Sequence, residues 1–383
     1  AWVGNPRKEL LEGLDRKNTL IVDLAAEFWD NWQKRKGFDG FSWLWSHISN
    51  YGGNIGLHGR LDVIATAPVD AQKDLAASPS MKGTSSTPEG IEVNPVVFDL
   101  LNEMRWRSKH LDLDVWLKEY AARRYGAEDE NLKEAWIIFH HTAYGTYSGH
   151  RRPSESVFCA PPSLKRDKIT ASAWSQCRIF YDPQLFAQGV GLFLQSADRL
   201  KQVSTYRYDV VDFVRQYLAN LGREAYYSLV DAYREKSMEQ LDYWSKRFLS
   251  LIEDQDALLS THERFFVGYW LNMARSKSQY PELQDLYEHN ARMLIGTWTE
   301  ELSLVRDYAH KEWGGMLRDY YLPRWTNYIA YLKGTLEGQI LTIPDSFQAE
   351  RRWVNAHNKY SIVANADPVE TARKLYNKYR SNH

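Results

Sequence analysis

The sequence predicts two kinds of structure in one chain: an α/β portion over residues 1–112, built as the second half of a (β/α)8-type barrel, and an all-helical domain over 113–383. Three observations predict it. Up to about residue 110, short apolar or β-branched runs alternate with stretches of helical spacing. From about 113 the 3.6-residue apolar period takes over, and no further strand is needed. Complete strand candidates number about three, whereas a closed barrel has eight.

Residues 7–16 read as a short helix with Leu10, Leu11 and Leu14 on its apolar side. Leu20-Ile21-Val22-Asp23-Leu24 is an apolar run expected as a buried parallel strand, with Asp23 and Glu27 toward its C-terminal side. Phe41–Ser46 is the second strand, and alternation puts Trp43 and Trp45 on one of its sides. It feeds His47-Ile48-Ser49-Asn50-Tyr51-Gly52-Gly53-Asn54, a glycine-rich turn ahead of a helix expected near Ile55. Gly83–Thr87 is the third strand. Pro88 lacks an N–H and stops regular pairing, and Gly90 permits the turn that leaves Glu89 at the rim. Asn94 then serves as N-cap and Pro95 as first residue of a helix carrying Val96, Val97, Leu100, Leu101 and Met104.

Beyond 113, Val115, Leu117, Tyr120, Ala121 and Tyr125 form one helical stripe, and Trp136–Phe139 begins another. Residues 144–172, rich in Pro, Ser, Gly and Arg, read as a long ordered loop. Val210, Val214, Tyr217 and Leu221 fall at i, i+4, i+7 and i+11. Trp244, Phe248, Leu251 and Ile252 repeat the pattern, as do Phe266, Trp270 and Met273. Gly314-Gly315 and Pro323 interrupt it, and helices resume near 325–341 and 368–380.

Composition narrows the function. A net charge of −1 gives no reason to expect a nucleic-acid partner. No run of 18 apolar residues exists to span a membrane. Fifteen Trp and 24 Tyr are a surplus that fits stacking on pyranose faces, or dense helical packing. Cys159 and Cys177 are too few for a disulfide framework, and their spacing leaves pairing open. The sequence opens at Ala1-Trp2-Val3-Gly4 without methionine or signal peptide and reads as a portion of a longer chain. No Asn-x-Ser/Thr site occurs, so an exported bacterial protein, extracellular or periplasmic, is expected.

Glu89 is the leading chemical candidate, because glycosidic bonds are cut by two carboxyl groups flanking the anomeric carbon. Asp23 and Glu27 are the other acids placed near a strand end, and both are expected to support structure. Trp43 and Trp45 either wall a sugar site or fill the core. Asn50 and Asn54 orient ligand hydroxyls or brace their turn. Tyr206–Asp209 and Asp319–Trp325 are dense in polar aromatics, for a pocket or for packing between domains. His140 and His141, adjacent on a helix, are expected to point different ways, and no histidine pair has metal-ligand spacing. No cofactor is expected: there is no phosphate-binding loop, no Gly-x-Gly-x-x-Gly and no Gly-x-Ser-x-Gly.

Several blocks together are highly specific: Leu20 to Glu27, Trp45 with Asn50 to Leu57, Thr87-Pro-Glu-Gly-Ile91, Ala121 to Gly126, Tyr206 to Asp209, and Asp319-Tyr-Tyr-Leu-Pro-Arg-Trp325. In these the sequence resembles the family-89 glycoside hydrolases, the α-N-acetylglucosaminidases, over essentially its whole length. The resemblance implies a barrel followed by an all-α domain, and retaining hydrolysis of terminal α-linked N-acetylglucosamine from a carbohydrate partner. It assigns the nucleophile to Glu89 and places Trp45 and Asn50 beside the pocket. Trp2, before the Gly-Asn-Pro stretch, matches a tryptophan lining the sugar site, and Trp174 and Tyr320 are looser correspondences. It also implies that the acid/base glutamate lies upstream, in an N-terminal half absent from this sequence. The alternative is a non-catalytic helical module that binds carbohydrate or another partner.

Overall fold

The computed structural model describes residues 8–48, 50–90, 93–172, 176–298, 301 and 305–380; Trp2 and Trp174 lie outside them. After a short helix α1 (Lys8–Glu12), strand β1 (Leu20–Asp23) leads through α2 (Asn31–Lys34) to β2 (Ser42–His47). Helix α3 (Leu61–Lys73), β3 (Met81–Ser86) and α4 (Pro95–Met104) complete the α/β part. The strands form one parallel sheet in the order β1-β2-β3, with Asp23 beside Trp45 and Trp45 beside Thr84.

In-register neighbours in a parallel sheet share a face, so this sheet has two unlike sides. One carries Trp43 and Trp45, both fully buried. Trp43 stacks on Trp32 of α2 at 6.2 Å and donates its indole N–H to the Ala77 carbonyl at 3.1 Å. The other side carries Leu20 and Val22, which are 52% and 42% exposed. Strand β1 is therefore covered on one face only, where burial on both was expected, and β3 is only half-buried. The two tryptophans point to the helix-covered side.

Asn94 sits at the N-cap of α4 with a left-handed backbone, but its side chain caps nothing. It instead donates to the Gly56 carbonyl at 3.1 Å and accepts from the His58 N–H at 3.3 Å. The start of α3 moves from the expected Ile55 to Leu61 for a related reason. Arg215 donates to the Ile55 carbonyl at 2.9 Å and Gln216 accepts from the Leu57 N–H at 3.1 Å. Residues 55–59 thus spend backbone groups on tertiary partners instead of a helix.

The rest is helical: α5 (Leu113–Tyr125), α6 (Glu130–His140), α7 (Pro183–Gln195), α8 (Ala197–Leu200), α9 (Ser204–Arg234), α10 (Met238–Leu259), α11 (Val267–Arg275), α12 (Pro281–Ile295), α13 (Leu322–Leu336), α14 (Ser346–Val354) and α15 (Pro368–Arg380). Asp112, Asp129 and Asp182 accept first-turn N–H groups and start α5, α6 and α7. Val115, expected on the inner stripe of α5, is 53% exposed; its neighbour Trp116 turns inward instead. Helix α9, about 46 Å long, is the axis: α5, α7, α10 and α15 pack around it, and most of its length is buried. Between α6 and α7 the expected long loop is ordered, with Val157, Phe158 and Cys159 fully buried. Helix α14 was not legible in the sequence. Cys159 and Cys177 are free thiols. No helix among the described residues is long and apolar enough to cross a membrane.

Candidate active site

Strand β3 ends at Ser86, and Pro88 turns the chain so that Glu89 lies beyond the C-terminal edge of the sheet. The glycine-rich turn after β2 meets it there. Asn50 Nδ2 donates to the Gly90 carbonyl at 2.6 Å, tying the two loops together. The Gly52 N–H donates to Glu89 Oε2 at 2.8 Å, and the Tyr308 hydroxyl donates to the same oxygen at 2.6 Å. No described residue hydrogen-bonds Oε1. Burial, followed by the hydrogen bond to Glu89 and then its charge, pushes the Tyr308 hydroxyl above the ordinary phenol range. Both glycines of the turn are needed. Gly52 has φ +67°, and a Cβ there would stand 2.0 Å from the Tyr308 carbonyl oxygen. Gly53 has φ +73°, and Lys311 Nζ donates to its carbonyl.

Glu89 is exposed, but to a cavity of about 680 Å³. Its far wall comes from the helical part: Phe265, Phe266, Trp270, Met273, Trp298 and Trp313, with Arg264 and Lys311 as cations. Trp298 meets Tyr308 edge-on at 5.6 Å, and Lys311 Nζ lies 5.1 Å from the centre of the Trp313 ring. Trp298 is held at φ +59°, costly for a bulky side chain and characteristic of functional sites. Glu89 is the one carboxylate on the cavity wall among the described residues. An apolar concavity with a few converging polar groups is the usual form of a ligand site.

The other candidates are distributed differently. Asn50 is fully buried and acts on the Gly90 backbone, one step behind the wall. Trp45 lies in the core on the helix-covered side of β2 and does not line the cavity. Tyr320 is buried in the helical part, its hydroxyl donating to Asp307 Oδ1 at 3.0 Å, with Arg324 stacked 4.4 Å over its ring. The Arg324 guanidinium bonds both oxygens of Asp307, so the Asp319–Trp325 block braces packing. Tyr206–Asp209 does likewise: Asp209 pairs with Arg124 at 2.5 Å and with the Tyr125 hydroxyl at 2.6 Å.

Burial lifts Asp23 to about 6 and Glu27 to about 8, and neither reaches the cavity wall. Glu27 Oε1 accepts the Ile48 N–H at 3.0 Å, while Tyr51 stands in the field of both Glu27 and Glu89. Tyr308, Trp298, Trp313 and Lys311 were missed. The tryptophans belonged to the aromatic surplus, and Gly314-Gly315 marked a break beside Trp313, but nothing near Tyr308 set it apart. Trp270 and Met273 follow a helical core period yet face the cavity, with Met273 39% exposed. His140 and His141, expected to diverge, instead stack at 4.6 Å.

The family model described as the alpha-N-acetylglucosaminidase (NAGLU) tim-barrel domain matches residues 1–108, and that of the NAGLU C-terminal domain matches residues 116–378. The chain is 30% identical to human alpha-N-acetylglucosaminidase, covering 99% of this sequence and 50% of the human one. A family 89 glycoside hydrolase from Clostridium perfringens in complex with PUGNAc superposes with a TM-score of 0.93 at 31% identity, over all of this chain and 44% of that one. The same enzyme with two glutamates changed to glutamine, bound to its substrate GlcNAc-α-1,4-galactose, gives a TM-score of 0.91 at 32% identity, over 97% of this chain and 43% of that one. The chain thus spans about half the length of the relatives it matches, and over that span it belongs to the alpha-N-acetylglucosaminidase family, the family 89 glycoside hydrolases.

Proposed function

We propose that this chain carries the nucleophile of a retaining exo-α-N-acetylglucosaminidase. One observation carries the reading: Glu89 stands at an aromatic cavity with Oε2 fixed by Gly52 N–H and Tyr308 O–H, leaving Oε1 open. Oε1 attacks the anomeric carbon, the bond to the leaving oxygen breaks, and that oxygen takes a proton from a second carboxyl group about 5–5.5 Å away. Water, deprotonated by the same group, then releases the sugar from the Glu89 ester. Trp298 and Trp313 offer faces for the hexosamine ring. The clostridial relative, whose bound substrate is an α-linked N-acetylglucosaminide, supports the substrate class.

The second carboxyl comes from strands that pair beyond β1. The exposed inner residues Leu20 and Val22 support such strands, since an open barrel edge leaves apolar side chains and ladder groups unmet. One observation favours the second reading, a carbohydrate-binding module: among the described residues a single carboxylate lines the cavity. Hydrolysis of an aryl α-N-acetylglucosaminide by the protein carrying this chain separates the two. Glu89→Gln should lower turnover by on the order of 10³-fold or more, and NMR of the first product should show the α-anomer. Near-normal turnover by that variant removes Glu89 as nucleophile, and a β-anomer removes the retaining course.

A further inference from the structure

Away from the cavity, three segments meet at the junction of the two parts of the chain. Helix α3 supplies Asp62, the first turn of α5 supplies Asp114, and the end of α6 supplies His140 and His141. His140 is buried, and its two ring nitrogens face different carboxylates: Nε2 lies 2.9 Å from Asp62 Oδ1 and Nδ1 lies 3.2 Å from Asp114 Oδ1. His141 is exposed and stacked on His140, and one ligand atom from each of Asp114, His140 and His141 lies within 4.8 Å of the others. A cavity of about 310 Å³ opens beside them, lined also by Asp112.

We infer that Asp114, His140 and His141 form a Zn2+ site, with Asp62 as the outer partner that orients His140. The distances argue for it. Zinc bonds of about 2.0–2.1 Å in a tetrahedron place neighbouring ligand atoms about 3.3 Å apart, close to the Nδ1–Oδ1 separation here. A ligating histidine characteristically donates its other N–H to a carboxylate, the role Asp62 fills. A modest rotation of the exposed His141 ring closes the third corner, and the fourth faces the cavity, with room for water.

Charge agrees. Two carboxylates, Asp62 and Asp114, face the His140 ring from opposite sides. Among the described residues no Arg or Lys forms an ion pair with Asp62 or Asp114. The comparable group of Asp285, Glu288 and His357 differs there, because Arg275 lies 2.9 Å from Asp285 and 2.6 Å from Glu288. Bound zinc would cross-link α5 to α6 and, through Asp62, brace both against α3.

Zn2+ competition against a chromophoric chelator, using the full chain, tests the site. Unmodified protein should bind one equivalent, and Zn2+ should raise its melting temperature. His141→Ala removes an exposed ring, so circular dichroism should be unchanged while affinity falls at least tenfold; Asp114→Asn should do the same. Absence of a stoichiometric site, or binding that both variants leave within twofold, overturns the assignment.

Discussion

At the scale of single residues, the question is what makes one carboxylate different from 48 other acidic side chains. Glu89 differs by its partners. A rigid backbone N–H and a phenol both address Oε2, so the carboxylate cannot rotate its open oxygen away without losing two bonds. Tyr308 is the part that mutation can reach. Tyr308→Phe keeps the ring against Trp298 and deletes only the O–H. A hydrogen bond to a charged group is worth about 2 kcal/mol, so kcat/KM for the intact enzyme should fall roughly 30-fold. Melting temperature should hardly move. A fall below threefold would mean that Gly52 alone sets the orientation. The place of Glu89 beyond a strand end was legible in the sequence because Pro and Gly flank it there. Tyr308, far away in sequence, carries no local sign of its job; only the fold brings it to Glu89.

At the scale of elements, the site is a junction between the turn after β2 and the segment around Tyr308. The two glycines announced a tight turn, but the sequence could not say what presses on it. The Tyr308 carbonyl occupies the space a Gly52 side chain would need. Gly126, just past α5, has the same φ of +67° but nothing within 4 Å of its would-be Cβ. Gly126→Ala should therefore cost only the left-handed penalty of about 1–2 kcal/mol. Gly52→Ala adds a backbone collision and should destabilise clearly more in denaturant melts, and it should also weaken catalysis by displacing Tyr308. Equal costs for the two would show that the segment yields freely. The same contrast explains the misread elements. Periodicity put Val115 inward and Trp270 into the core, because a period states which residues share a face and not what that face meets. Trp43 and Trp45 share a face as alternation requires, yet only the packing of Trp32 and Phe38 decides that it is the helix side.

At the scale of the whole molecule, buried titratable groups set how stability varies with pH, and they pull in opposite directions. His47, His150 and His310 are lowered to about 4 by burial, and His58 lies well below its ordinary range for the same reason. Each is neutral when folded, so the unfolded chain binds more protons between about 4 and 6.5; their contribution is present above 6.5 and lost as pH falls. Glu27 has the reverse sign. Burial raises it from 4.5 to about 8, so the folded state holds the extra proton. Its contribution is complete below 4.5 and is lost as pH rises through 8. Asp23 and Asp212, both raised to about 6 by burial, add to that side. Glu27→Gln copies the protonated carboxyl, and the Ile48 N–H can keep its acceptor. The variant should match the parent near pH 5 and exceed it near pH 8 by a few kcal/mol at most, seen as a melting temperature several degrees higher. If parent and variant instead lose stability in parallel between pH 5 and 8, Glu27 is already ionised in the folded protein. Arg60, whose Nε donates to the Glu27 carbonyl at 3.1 Å, would then be the cation that offsets its burial.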